Sequence, residues 1–212
     1  MWFTIAIISF FLLSLAAVID KFLLSKSKII PISYAFYISF LGALASSALL
    51  FFTSDFHLPK DNLIVLIIGG AAFYFALYFM FLAVSQAEIS KINPLIVSLT
   101  PLIIFLLSFL LALEPLSFSK LGGVILVVTG SYFLSQAGLP KTRLKPKIWR
   151  FILLACLMFA LSNSFNKLAY NELSFVTAFV WLRWFTLATA LIFTVIMGNW
   201  SAIFSFKEKK LI

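Results

Sequence analysis

The segment NPLIVSLTPLIIFLLSFLLALEPLSFSKLGG, residues 93–123, decides the fold class. Its apolar run is about 20 residues long, which is the length that an α-helix needs to cross the roughly 30 Å hydrocarbon core of a bilayer. Pro101 lies inside this run, and Glu114 and Pro115 follow it. We therefore predict a bent membrane-spanning helix, a tight turn and the start of another helix.

The rest of the chain repeats this pattern of long apolar runs. Of its 212 residues, 63% are hydrophobic and 11% are charged, a composition that suits lipid rather than water as the surrounding solvent. We predict an all-α, polytopic transmembrane helix bundle of about seven spans. The predicted spans are Met1–Ile19, Ile29–Ser54, Asn62–Ala87, Ile92–Leu113, Leu121–Leu139, Phe151–Asn166 and Leu173–Phe206.

The net charge of +9 is explained by topology rather than by a nucleic-acid partner, because Lys and Arg accumulate in cytoplasmic loops. Three basic residues fall in the second, fourth and sixth connections: Lys60, Lys120 and Lys167. Twelve fall in the odd-numbered connections and the C-terminal tail: Lys21, Lys26, Lys28, Lys91, Lys141, Arg143, Lys145, Lys147, Arg150, Lys207, Lys209 and Lys210. This bias predicts a multi-pass protein of the cell membrane with the 139–150 loop in the cytoplasm and the N-terminus outside.

A weak internal repeat divides the chain. SLAAVIDKFLL is similar to ALSNSFNKLAY, and ISYAFYISFLG to FVTAFVWLRWF, at a separation of 143–146 residues. We predict a first five-helix repeat over 1–137, a basic loop over 138–150, the first two helices of a second repeat over 151–206, and a basic tail over 207–212. Because five is odd, the two repeats would be inverted relative to each other.

Several residues shape the predicted helices. Asn93 is predicted to cap the fourth helix, which makes Pro94 its first residue. Pro101 removes the hydrogen bond to the carbonyl of Val97, so the resulting kink should face other helices or a wet cavity. Glu114 either orders an interfacial turn or takes part in ion coupling. The glycines of the spans are predicted to form helix contact faces rather than ligand sites.

Polar residues inside the predicted spans are the candidate site residues, because such groups are costly in lipid. Arg183 either faces a cavity, where it could bind an anionic group, or snorkels within an aromatic belt. Asn163 and Asn166 share a helix face and either bind a polar solute or link helices. Tyr74 and Tyr78 also share a face and line a cavity or pack at an interface. Asp20 is an interfacial residue next to Lys21 or a proton-coupling carboxylate.

Nothing in the sequence favours catalysis. The chain has one Cys and one His, and we find no nucleophile–base set, paired intramembrane carboxylates or phosphate-binding loop. We therefore predict no enzyme activity, no catalytic residue, no metal and no cofactor.

Residues 74–134, YFALYFMFLAVSQAEISKINPLIVSLTPLIIFLLSFLLALEPLSFSKLGGVILVVTGSYFL, resemble the EamA-type repeat of the drug/metabolite transporter superfamily. The features are an aromatic third helix, Pro101 in SLTP, Glu114 in LALEPLS, and Gly123 and Gly130 in GGVILVVTG. The resemblance implies a membrane protein that moves a small organic metabolite or drug by alternating access. Its implied partners are the lipid bilayer and a small-molecule solute.

Two features depart from the family pattern. Members usually have ten helices in two inverted repeats, so three helices of the second repeat are missing here. The chain would then be incomplete, or would need a homo-oligomer or a partner chain to supply those helices. Members are also commonly assigned a cytoplasmic N-terminus, opposite to the charge bias. The alternative function is a non-transporting membrane scaffold or an inactive transporter fragment.

Overall fold

The computed structural model describes residues 2–26, 29–52, 56–110, 118–136 and 144–198. Seven α-helices and two short 3₁₀ turns occur in these residues, with no β-strand among them, which confirms the all-α prediction. The helices are α1 (Trp2–Lys26), α2 (Pro31–Ser47), α3 (Leu63–Gln86), α4 (Ile89–Leu110), α5 (Phe118–Gln136), α6 (Pro146–Glu172) and α7 (Phe175–Ile196).

Six of these helical segments are long and apolar enough to cross a membrane: Phe3–Leu24, Pro31–Phe52, Lys60–Gln86, Ile89–Leu107, Pro146–Glu172 and Phe175–Ile196. In α5 the apolar part is the shorter stretch Leu121–Gly130. The multi-span bundle is thus confirmed. The sixth predicted span, Phe151–Asn166, is too short at both ends, because α6 is 27 residues long and extends from Pro146 to Glu172.

The predicted start of α4 at Asn93 is wrong. The helix begins at Ile89, because the amides of Lys91 and Ile92 donate to the Glu88 carbonyl at 3.0 and 3.3 Å. Pro94 therefore lies inside the helix, as does Pro101. The bend at Pro101 stays a prediction, and Glu114 lies outside the described residues.

Helix α3 is the central element. It packs most extensively against α6 and also against α7, while α4 packs on α6 and α2 on α7. A glycine pair permits this contact: an added Cβ at Gly70 would lie 2.8 Å from the Leu182 carbonyl oxygen and 2.9 Å from the Thr186 amide nitrogen. Only a residue without a side chain lets the two backbones come this close.

The ends of the helices define two sides of the bundle. Lys21 of α1 donates to the carbonyls of Val84 and Ala87 at the C-terminal end of α3, both at 2.9 Å. Glu172, at the C-terminal end of α6, lines a surface depression with Asn62 at the opposite end of α3. Helix α1 is therefore parallel to α3, and α6 is antiparallel. This is the relation that inverted repeats require, although the division into a repeat over 1–137, a loop over 138–150 and a second repeat over 151–206 stays a prediction.

Helix α1 contributes little to the core. Its apolar side chains are largely exposed, including Phe10 at 70% and Phe11 at 68%. A wide apolar groove of about 880 Å³ runs between α1 and α2. The core instead lies where α2, α3, α4, α6 and α7 meet.

The glycine contact yields a stability prediction. Gly70→Ala places a methyl group 2.7 Å from Phe185 Cβ and against the α7 backbone, so the two helices must separate. We expect the free energy of unfolding, measured by titration with SDS in mixed micelles, to fall by about 1–3 kcal/mol.

Gly130→Ala is the matched control, because no side chain and no other helix of the described residues lies within 4 Å of its added Cβ. We expect that variant to match the parent protein or to exceed it slightly in stability. Equal stability of the two alanine variants would contradict the close approach of α3 and α7.

Candidate functional site

A small pocket lies between α3, α6 and α7. It has a volume of about 20 Å³, enough for one water molecule. Its lining is polar and aromatic: Gly69, Gly70, Phe73, Ser162, Asn166, Tyr170, Phe179, Leu182, Arg183 and Thr186. Arg183 lies eight residues after Phe175, which is the first residue of α7. It is therefore about 12 Å along that helix. The pocket therefore lies within a membrane-spanning segment.

Two aromatic rings hold the Arg183 side chain. The guanidinium carbon lies 4.3 Å from the ring centre of Phe73 and 5.0 Å from that of Phe179. Such cation–π contacts contribute about 2 kcal/mol where the cation is desolvated. The side-chain stem passes Gly42 of α2, where an added Cβ would lie 3.9 Å from Arg183 Cδ. Four helices thus surround this cation.

The two predicted asparagines occupy different environments. The Asn166 Oδ1 atom is buried and has no hydrogen-bond partner among the described residues, and Asn166 lines the pocket. Asn163 is exposed, and its amide donates to the Phe159 carbonyl of its own helix at 2.8 Å. Of this pair, only Asn166 shares the pocket with Arg183.

Two hydroxyl residues that the sequence did not single out join the helices at the pocket. Ser162 donates to the Gly69 carbonyl at 3.0 Å, and Thr186 donates to the Gly70 carbonyl at 3.1 Å and to Leu182 in its own helix at 2.8 Å. Hydroxyls reach these carbonyls because glycine leaves them uncovered. The Gly69–Gly70 pair was the sequence signal for a close helix contact here. The sequence did not show that Ser162 and Thr186 would be its partners.

An aromatic row leads from the bundle surface to Arg183. The rings of Tyr170 and Phe175 stack at 5.5 Å, and those of Phe175 and Phe179 stack at 5.6 Å. Phe175 is 63% exposed, whereas Phe179 contacts the guanidinium. Since Tyr170 also lines the pocket, an apolar surface adjoins the half-buried cation.

The tryptophans that flank Arg183 have other partners. The Trp181 indole donates to the His57 carbonyl at 3.0 Å, and the Trp184 indole donates to the Ser47 hydroxyl at 2.9 Å. Both rings also contact Phe56. They tie α7 to α2 and to the connection between α2 and α3.

Tyr74 and Tyr78 lie outside the Arg183 pocket. Tyr74 is fully buried, and its ring lies 6.5 Å from that of Tyr78 and 5.8 Å from that of Phe193. Tyr78 contacts Phe193 as well, at 5.2 Å. The two tyrosines belong to an aromatic cluster between α3 and α7, and a solute-binding role for them stays a prediction.

Asp20 and Lys21 take different partners. Asp20 accepts a hydrogen bond from the Tyr34 hydroxyl of α2 and borders the apolar groove between α1 and α2. Lys21 binds the end of α3, as described above. Because α1 continues to Lys26, this pair does not mark the end of the helix. A coupling role for Asp20 stays a prediction.

Comparison with models of protein families gives a match. A family model described as the EamA-like transporter family matches residues 1–136 of the 212-residue chain. No curated protein and no solved structure matches the chain. Within the described residues, no group of three or more His, Cys, Asp or Glu side chains could hold a metal ion.

The Thr186 hydrogen bond yields a second stability prediction. Thr186→Val keeps the side-chain shape but removes the bond to the Gly70 carbonyl of α3. Since hydrogen bonds between membrane helices contribute about 0.6 kcal/mol on average, we expect a loss of about 0.5–1 kcal/mol in the free energy of unfolding, measured by SDS titration.

Thr189→Val is the control, because the only acceptor of the Thr189 hydroxyl among the described residues is the Phe185 carbonyl of its own helix, at 2.9 Å. A loss at residue 189 as large as that at residue 186 would show that the bond between the helices contributes nothing.

Proposed function

The chain belongs to the EamA-like transporter family, and from this we propose that it moves a small organic metabolite or drug across the cell membrane by alternating access. The observation that carries the proposal is Arg183, a cation inside a membrane-spanning helix that lines a pocket with Asn166. Ionisable residues at this depth mark solute and ion pathways in membrane proteins.

The size of the pocket sets a condition on this mechanism. A volume of about 20 Å³ is far below the 300–1,000 Å³ or so of ordinary ligand sites. A solute therefore enters only when helices around Arg183 separate, as they would during an exchange between outward-open and inward-open states. Pro101 of α4 is the proposed bending point in that exchange.

We assign the central solute contact to Arg183 and Asn166. Tyr74, Tyr78 and Asn163 are secondary candidates, since solute could meet them after the helices move. Asp20 is the proposed coupling carboxylate because it lies within the first span, and Glu114 is the second candidate from the family resemblance.

The exposed apolar side chains of α1 favour a further protein partner that covers this helix. In this proposal, a second copy of the chain or a partner chain covers the apolar side chains of α1 and closes the solute path. Because lipid could cover the same side chains, the oligomeric state during transport has to be measured together with activity.

Transport by the purified chain in proteoliposomes tests the proposal. We expect saturable uptake of at least one labelled solute from a panel of amino acids, organic acids and amphipathic amines. Asn166→Ala should reduce that uptake by roughly tenfold, because it removes a buried polar contact.

Asn163→Ala is the matched control and should transport at the parent rate, since its amide is exposed and bonded within α6. Absence of uptake for the whole panel, with the protein correctly inserted, would contradict the proposal and favour a non-transporting scaffold or an inactive fragment.

We also propose that the N-terminus lies outside the cell and the 139–150 loop lies in the cytoplasm. Lys60 and Lys145 are exposed near opposite ends of the bundle, so they report on this orientation. In a Cys156→Ala background, a membrane-impermeant maleimide should label Lys60→Cys in intact cells and Lys145→Cys only after permeabilisation. The reverse pattern would invert the assignment.

A further inference from the structure

We propose that the pocket binds the carboxylate of an amphipathic organic acid, whose hydrocarbon body lies along the aromatic row of Tyr170, Phe175 and Phe179. The inference rests on the proposed function, because it names the substrate class of the same site. No ion pair joins the Arg183 guanidinium to a carboxylate among the described residues.

Among the described residues, none accepts a hydrogen bond from the Arg183 guanidinium. Phe73 and Phe179 offer ring faces, which attract the cation but accept no ordinary hydrogen bond. A guanidinium carries five N–H donors in one plane, arranged to bind two oxygens of a carboxylate at once. A membrane-spanning segment has little water to accept hydrogen bonds from these donors, so they need another acceptor.

The other polar groups of the pocket define the rest of the ligand. The hydroxyls of Ser162 and Thr186 already donate to the carbonyls of Gly69 and Gly70. Asn166 Oδ1 is a buried acceptor without a donor in the described part of the chain. A ligand that presents an anionic oxygen to Arg183 and a hydroxyl to Asn166 would satisfy both residues.

The small volume favours a carboxylate over a larger anionic group. The pocket holds about one water molecule, so modest opening admits a planar group of three heavy atoms more readily than a tetrahedral phosphate. Tyr170 is 37% exposed at the edge of the pocket, so the helix separation that the proposed function requires would open the pocket beside this ring. The shape and surroundings together point to an aromatic or apolar 2-hydroxy acid.

Isothermal titration of the detergent-purified protein tests this inference without any transport step. The probes are mandelate, phenylacetate, which lacks the hydroxyl, and mandelamide, which lacks the charge. We expect mandelate to bind, phenylacetate to bind about tenfold more weakly, and mandelamide to bind at least about a hundredfold more weakly.

Two variants locate the binding site. Arg183→Gln should lower mandelate affinity at least about tenfold, and Arg183→Lys should keep part of it, because lysine retains the charge but not the planar donors. Gel filtration checks that each variant is folded. If Arg183→Gln does not fold, the comparison of the three probes and the Arg183→Lys variant still decide the outcome.

Three outcomes of the titrations in detergent would overturn the inference. They are absence of mandelate binding, equal binding of mandelamide, and unchanged mandelate binding by a folded Arg183→Gln protein. Mandelate affinity can also be compared between nanodiscs of phosphatidylglycerol and nanodiscs of phosphatidylcholine. A tenfold lower affinity in phosphatidylglycerol would show that this lipid competes with mandelate, would assign Arg183 to a lipid headgroup and would also overturn the inference. Transport of a cationic or neutral solute without mandelate binding would overturn this inference while leaving the proposed function standing.

Discussion

The close approach of α3 to α6 and α7 at Gly69 and Gly70 is the constraint on which the site depends. In lipid, burial of apolar surface does not drive helices together, so packing and hydrogen bonds between helices must do so. The glycine pair supplies both, because it removes two side chains and uncovers two carbonyls that Ser162 and Thr186 then bind. This junction places Phe73 of α3 against Arg183 of α7.

The functional interpretation depends on Arg183, the cation at this junction. A charged side chain at the centre of a membrane costs about 3 kcal/mol on insertion scales, and contact with two aromatic rings offsets part of that cost. Under the proposed function, the guanidinium donors that no described residue accepts would bind an anion. The same residues would then stabilise the empty state and recognise a solute, as a carrier that alternates between occupied and empty states requires.

The sequence predicted the helices well because hydrophobic length is a strong signal, and the family resemblance was confirmed over residues 1–136. Local boundaries were harder. Asn93 is a good cap by residue type, yet the Glu88 carbonyl accepts the first helical bonds and the helix starts earlier. Asn163 and Asn166 were equivalent by spacing, and only the position of α3 distinguishes them. Ser162 and Thr186 were missed since their partners are backbone carbonyls distant in sequence.

The central claim is the direct contact of α3 with α6, and disulfide formation between Gly69→Cys and Phe165→Cys tests it in a Cys156→Ala background. An added Cβ at Gly69 lies 3.4 Å from Phe165 Cβ, close to the span of about 3.5–4.5 Å that a disulfide needs. Its nearer neighbours are side-chain atoms, Leu182 Cδ2 at 2.9 Å and Asn166 Oδ1 at 3.1 Å, which can turn aside as the backbone atoms facing Gly70 cannot. After oxidation in membranes and denaturation, we expect the thiols to be protected from maleimide-polyethylene glycol. Two labelled thiols, as expected for a control pair of Gly130→Cys and Phe165→Cys, would contradict the account.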